Sequence, residues 1–106
     1  MAFKISTATE GTYTWPVVVM LPLDGGKHQR QQFTGKFSKA FTLDDVTEGV
    51  DDLPKLLVGW SEILDDDGKE VPFSEATLAE YCKVPIFVSA VFEAWRNSFS
   101  QAKAKN

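Results

Sequence analysis

The feature that most constrains this chain is the alternation between Thr12 and Leu21. Tyr13, Trp15, Val17, Val19 and Leu21 take every second position, and Thr12, Thr14, Val18 and Met20 stand among the others. A period of two puts the first set on one side of an extended backbone, so the run predicts a strand with one strongly buried face. Leu23-Asp24-Gly25-Gly26-Lys27 follows, carrying residues that tolerate positive φ. A second run then separates Phe33, Phe37 and Phe41 with polar Gln32, Thr34, Lys36 and Ser38. The pair reads as a β-hairpin. Its all-polar stretch from Lys27 to Gln32 places the tip in solvent, and Gly35 inside the second run marks a bulge. Lys4 to Thr7 reads as a short additional strand.

After Phe41 the punctuation becomes helical. Thr42 is a good N-cap, Asp45 stands at the third helical position, and Phe41 and Val46 have the spacing of a hydrophobic staple. Gly49 and Pro54 limit that helix. Pro54 suits the first turn of a second one carrying Leu56, Leu57 and Trp60. Between Ile63 and Val71, Asp65-Asp66-Asp67-Gly68 predicts a tight turn or small hairpin. Phe73-Ser74-Glu75 opens a third helix, with a staple from Phe73 to Leu78. Pro85 starts the last and longest, where Phe87, Val91, Ala94, Trp95, Ser98 and Phe99 keep helical spacing and Val88 and Phe92 widen the apolar stripe. The expectation is an α+β fold, an N-terminal β-hairpin or small antiparallel sheet followed by a helical C-terminal half. Residues 1–106 form a single domain in this reading, with a β-rich part at 1–41, a helical part at 42–100 and a flexible tail at 101–106.

Composition excludes several function classes. Eleven Lys and Arg against 15 Asp and Glu leave a net charge of −4, which disfavours phosphate-backbone contacts, so no nucleic-acid partner is expected. The longest apolar run, Val17 to Leu21, is far short of a membrane helix, so no membrane partner is expected either. A single cysteine, Cys82, rules out an internal disulfide, and with one histidine no Cys/His zinc site can be assembled. With no secretory signal at Met1 to Ser6, a cytoplasmic setting follows.

Catalytic and metal motifs fail one by one. Aligning the glycine of a calcium loop on Gly68 puts Ile63 at the first ligand position and Ser74 where a bidentate glutamate is needed. Gly35-Lys36 lacks the earlier glycine and the following Ser or Thr of a phosphate loop. His28 lies among Lys27, Gln29 and Arg30 near the hairpin tip, where nothing tunes it as a base, and Cys82 has no neighbouring histidine to activate it. Asp44, Asp45, Glu48, Asp51 and Asp52 read as a solvated acidic face. No enzyme activity, cofactor or metal is expected, and the catalytic, cofactor-binding and metal sets are empty. The positive signal is aromatic: Trp60, Phe92, Trp95 and Phe99 are the candidate protein-binding residues, set against a purely core role for the same side chains.

The order of these features resembles a family. An extended hairpin with a Gly-Gly turn leads to Leu56-Leu57-Val58-Gly59-Trp60 and an Asp-rich turn. Val71-Pro72-Phe73-Ser74-Glu75-Ala76-Thr77-Leu78 follows, and then a terminal aromatic helix ending Ala94-Trp95. The sequence is similar, over most of Thr12 to Phe99, to the small tail assembly chaperones of long-tailed bacteriophages. The resemblance implies a nonvirion protein of the host cytoplasm that binds the tape measure protein, keeps its helices soluble and helps recruit tail tube subunits. It also implies a longer form made by ribosomal frameshifting, for which Ala104-Lys105-Asn106 permits a slippery heptamer. The alternative is a small virion structural subunit of the tail or head–tail junction, self-associating through its hairpin.

Overall fold

The computed structural model describes residues 2–42 and 51–100. The fold is α+β: a three-stranded antiparallel sheet followed by helices. The elements are α1 (Ile5–Thr9), β1 (Thr12–Leu23), β2 (Lys27–Ser38), α2 (Leu53–Leu56), β3 (Leu57–Ser61), α3 (Glu75–Tyr81) and α4 (Pro85–Asn97). The helix expected from Thr42, with its Asp44, Asp45 and Glu48, and the tail at 101–106 lie outside the described residues.

The hairpin forms as its alternation requires. β1 and β2 pair in unbroken register from Thr12↔Ser38 to Leu23↔Lys27, joined by one turn of 3-10 helix, Asp24–Gly26. Gly25 and Gly26 both take positive φ there, a conformation that side-chain-bearing residues adopt only at a cost. The apolar set faces inward: Val17, Phe33 and Phe37 are buried, and Tyr13, Trp15 and Val19 pack against the same core. Full burial of a side chain such as Phe37 stabilises the fold by about 1.5–3 kcal/mol. Beyond Val19↔Gln31 the ribbon continues for four more pairs as an exposed arm of about 13 Å, at roughly 3.3 Å per residue.

Two local readings are corrected. Lys4 to Thr7 is not a strand: the chain is helical over Ile5–Thr9, and the Thr7 and Thr9 hydroxyls donate back to the Lys4 and Ile5 carbonyls. Such side-chain bonds favour a helical turn where no sheet edge is offered. Nor does the helix begun at Pro54 reach Trp60. It stops at Leu56, and Leu57–Ser61 becomes the third strand, pairing antiparallel with β2. Between Phe37↔Leu57 and Lys36↔Gly59 the register shifts by one residue, Val58, which is a β-bulge. The bulge therefore belongs to β3 and lies across from Lys36 and Phe37 rather than at Gly35. Its effect is to put Leu57 and Trp60 on one face opposite Phe37 and Gly35, so a spacing of three, ordinarily helical, is met by a strand.

The rest follows the expected punctuation. Val71 donates to the Ile63 carbonyl at 2.7 Å, and Asp65 Oδ1 accepts from the Asp67 and Lys69 amides at 2.9 Å each, closing the small hairpin around Gly68. Ser74 caps α3, its Oγ accepting from the Thr77 amide at 3.1 Å. Pro85 opens α4, which packs chiefly on β1 and closes the core with Phe87, Val91, Phe92 and Trp95.

Gly35 is required by space rather than by φ. A Cβ there would lie 3.1 Å from the Phe37 ring, 3.1 Å from Val17 Cγ2 and 3.2 Å from Leu57 Cδ1, all three in fully buried residues. Gly35→Ala is expected to destabilise by about 1–2 kcal/mol, the overpacking cost exceeding the entropy gained in the unfolded chain. Urea denaturation with an unchanged midpoint would contradict this.

The hairpin base and α4 are tied by a polar contact. Ser98 Oγ donates to the Trp95 carbonyl at 2.6 Å, so the Tyr13 hydroxyl, 2.9 Å away, donates to Ser98 Oγ. Burial pushes the Tyr13 phenol above its ordinary value of 10.0. Because the folded state holds this proton more tightly than the unfolded state, Tyr13 contributes full stability below pH 10 and loses it as pH rises beyond. Thermal melts across pH 9 to 11 should show a smaller alkaline loss in Tyr13→Phe, each protein compared with its own neutral value.

Candidate protein-binding surface

The four aromatic candidates fall in two places. Trp60 lies in the middle of a ring cluster, edge-on to Phe73 at 4.8 Å, stacked on Tyr81 at 5.3 Å and edge-on to Phe87 at 6.3 Å. Its Nε1 donates to the Val71 carbonyl at 2.8 Å. Half-buried and fully partnered, it joins β3, the 63–71 hairpin, α3 and α4, and its faces are spent on that junction.

Phe92, Trp95 and Phe99 belong to the α4 side. Phe92 is 2% exposed and Trp95 is 8% exposed, both within the core. Phe99 is 63% exposed, because it stands beyond Asn97, the last residue of α4, and presents only an edge to Trp95, with ring centroids 5.1 Å apart. Phe41 meets Trp95 from another direction, also edge-on, at 5.4 Å. The stripe thus divides by depth: Phe92 and Trp95 pack inward, and Phe99 is the member available to another chain. Aromatic residues at such positions are what protein interfaces use as anchors.

Asp52, expected on a solvated acidic face, is buried at 6% exposure. His28 is exposed on the arm opposite Pro22, and Cys82 is half-buried with its thiol pushed up by desolvation, which disfavours the reactive thiolate. Among the described residues no group of three or more His, Cys, Asp or Glu is placed to hold a metal. No described helix is long and apolar enough to cross a membrane.

A concavity that residue patterning did not reveal lies beside the distal half of β2. This cleft of about 680 Å³ is walled by Phe33, Tyr81, Ile86 and Phe87 on its apolar side and by Glu62, Asp65 and Asp66 on the other. Compared with known proteins, the chain matches no family model, and no curated protein and no solved structure resembles it significantly.

Depth predicts opposite outcomes for neighbouring rings. Trp95→Ala should cost about 3–5 kcal/mol in stability, as truncation of a buried aromatic does. Phe99→Ser, losing one edge contact, should cost about 1 kcal/mol or less. Equal shifts of the two denaturation midpoints would show that Phe99 is as deeply engaged as Trp95.

Proposed function

We propose that the protein is a phage tail assembly chaperone that binds the tape measure protein and helps recruit tail tube subunits, acting in the host cytoplasm without catalysis. The observation that carries this reading is the ordered pair of segments Leu56-Leu57-Val58-Gly59-Trp60 and Val71-Pro72-Phe73-Ser74-Glu75-Ala76-Thr77-Leu78. The fold gives that pairing a physical reason. Trp60 of the first segment bonds the Val71 carbonyl and packs on Phe73 of the second, so the two are one structural unit.

Surface chemistry supports the role. A protein that keeps long amphipathic helices dispersed needs apolar anchors on a like-charged exterior; Phe99 is such an anchor, and the net charge of −4 opposes clumping. Co-expression with the tape measure protein of the same phage is the direct test. The expected result is recovery of both chains in one soluble complex, weakened by Phe99→Ser while the variant's melting curve stays close to that of the unaltered chain. Insoluble tape measure protein in the presence of this chain would count against the proposal. The exposed hairpin arm favours a second reading, a small virion subunit of the tail or head–tail junction. Mass spectrometry of purified virions separates the two, since a chaperone is absent from them and a subunit is present in stoichiometric amount.

A further inference from the structure

We propose that the distal edge of β2, together with the cleft beside it, is a strand-addition site for an extended segment of another chain, one that turns apolar residues and a Lys or Arg into the cleft. The inference goes beyond the chaperone reading and does not depend on which protein supplies the segment.

The sheet leaves this edge unfinished. β2 has 12 residues and β3 only five, with Thr34↔Ser61 as their last pair. At Glu62 the chain takes φ 71°, a left-handed conformation unusual for a non-glycine residue, after Ser61 ends the pairing. The direction of the remaining backbone groups follows from the ladder. The Lys39 amide donates to the Gly11 carbonyl, so odd-numbered residues of β1 and β2 exchange the hydrogen bonds. The N–H and C=O groups of Gln32, Arg30 and His28 therefore point away from β1, and no described strand lies there to receive them.

The opposite edge of the sheet is interrupted by contrast, although Val18 and Met20 keep their outward N–H groups. By the same alternation, the outward positions of β1 include Pro16 and Pro22, which carry no N–H, and Ser89, Ala90 and Ala94 of α4 flank the same edge. The distal β2 edge instead offers an uninterrupted run of outward donors and acceptors beside a cleft of about 680 Å³, against about 140 Å³ beside β1.

The cleft defines the occupant. Phe33, Tyr81 and Phe87 suit apolar side chains or the methylene stem of a long one; on the acidic side Glu62 Oε1 accepts from Thr34 Oγ1 at 2.6 Å and Asp65 Oδ1 from two turn amides, and none of Glu62, Asp65 and Asp66 forms an ion pair among the described residues. An incoming ammonium or guanidinium would complete them. A helix would leave the β2 groups unpaired, since its own backbone bonds are internal. Antiparallel pairing of two copies centred on this edge would set Arg30 directly against Arg30. An extended partner segment satisfies the backbone and the charges together, which is how strand addition achieves both affinity and selectivity.

The test is an amide-resolved NMR titration of the full chain with the acetylated, amidated peptide TVTKTVT, compared with TVTETVT. Saturable shifts confined to 28–34 and 62–66, slowed hydrogen exchange at Arg30 and Gln32, and binding about ten-fold weaker or worse for the Glu peptide are expected. Gln32→Pro removes an outward N–H without touching a β1 bond and should abolish the shifts. Asp66→Lys, an exposed turn substitution that takes the cleft's three carboxylates from a charge of −3 to −1, should shrink the preference for the Lys peptide and serves alone if Gln32→Pro fails to fold. Equal affinity for both peptides, no saturable shift, or self-pairing of the same amides without peptide would overturn the proposal.

Discussion

The structure depends on what the Trp60 indole holds together. One N–H bond to the Val71 carbonyl and three ring contacts connect the third strand to the 63–71 hairpin, to the segment that caps α3, and to α4. A buried polar tip on a large apolar body suits such a junction, since the N–H fixes orientation while the ring supplies area. Remove the indole and the Val71 carbonyl loses its donor as the aromatic cluster loses its centre. The proposed chaperone role draws on the two segments that this side chain unites, and their co-occurrence has a folding reason before any client is invoked.

Much of the fold was legible in particular residues. Alternation fixed the hairpin, two glycines its turn, Ser74 and Pro85 the starts of α3 and α4. The third strand was not legible because Leu53, Leu56, Leu57 and Trp60 carry helical spacing, and the bulge at Val58 lets a strand satisfy the last three-residue step. Local periodicity cannot distinguish these cases; what decides is whether a neighbouring edge needs a partner, and β2 did. At the start of the chain, Ile5 to Thr9 met no such edge and the threonine hydroxyls settled the matter locally.

The candidate surface was legible only in part. Helical spacing identifies which side of α4 is apolar but carries no information about depth, so Phe92, Trp95 and Phe99 look equivalent until the end of the helix is placed. The cleft arises from unequal strand lengths, a property of pairing rather than of residue type. The available signal was the continued β2 polarity beyond Phe33, opposite a third segment too short to follow it.

Pro16 and Pro22 have a consequence that begins before the sheet exists. They bracket Val17 to Leu21, five consecutive apolar residues of high β propensity, the kind of window that stacks into intermolecular sheets when exposed. In the native hairpin the prolines occupy outward positions and cost no ladder bond. On the ribosome, or in any transiently opened chain, they act as gatekeepers, interrupting register on both sides of the window whatever it tries to pair with. The same two residues therefore protect the chain during synthesis and interrupt its edge afterwards.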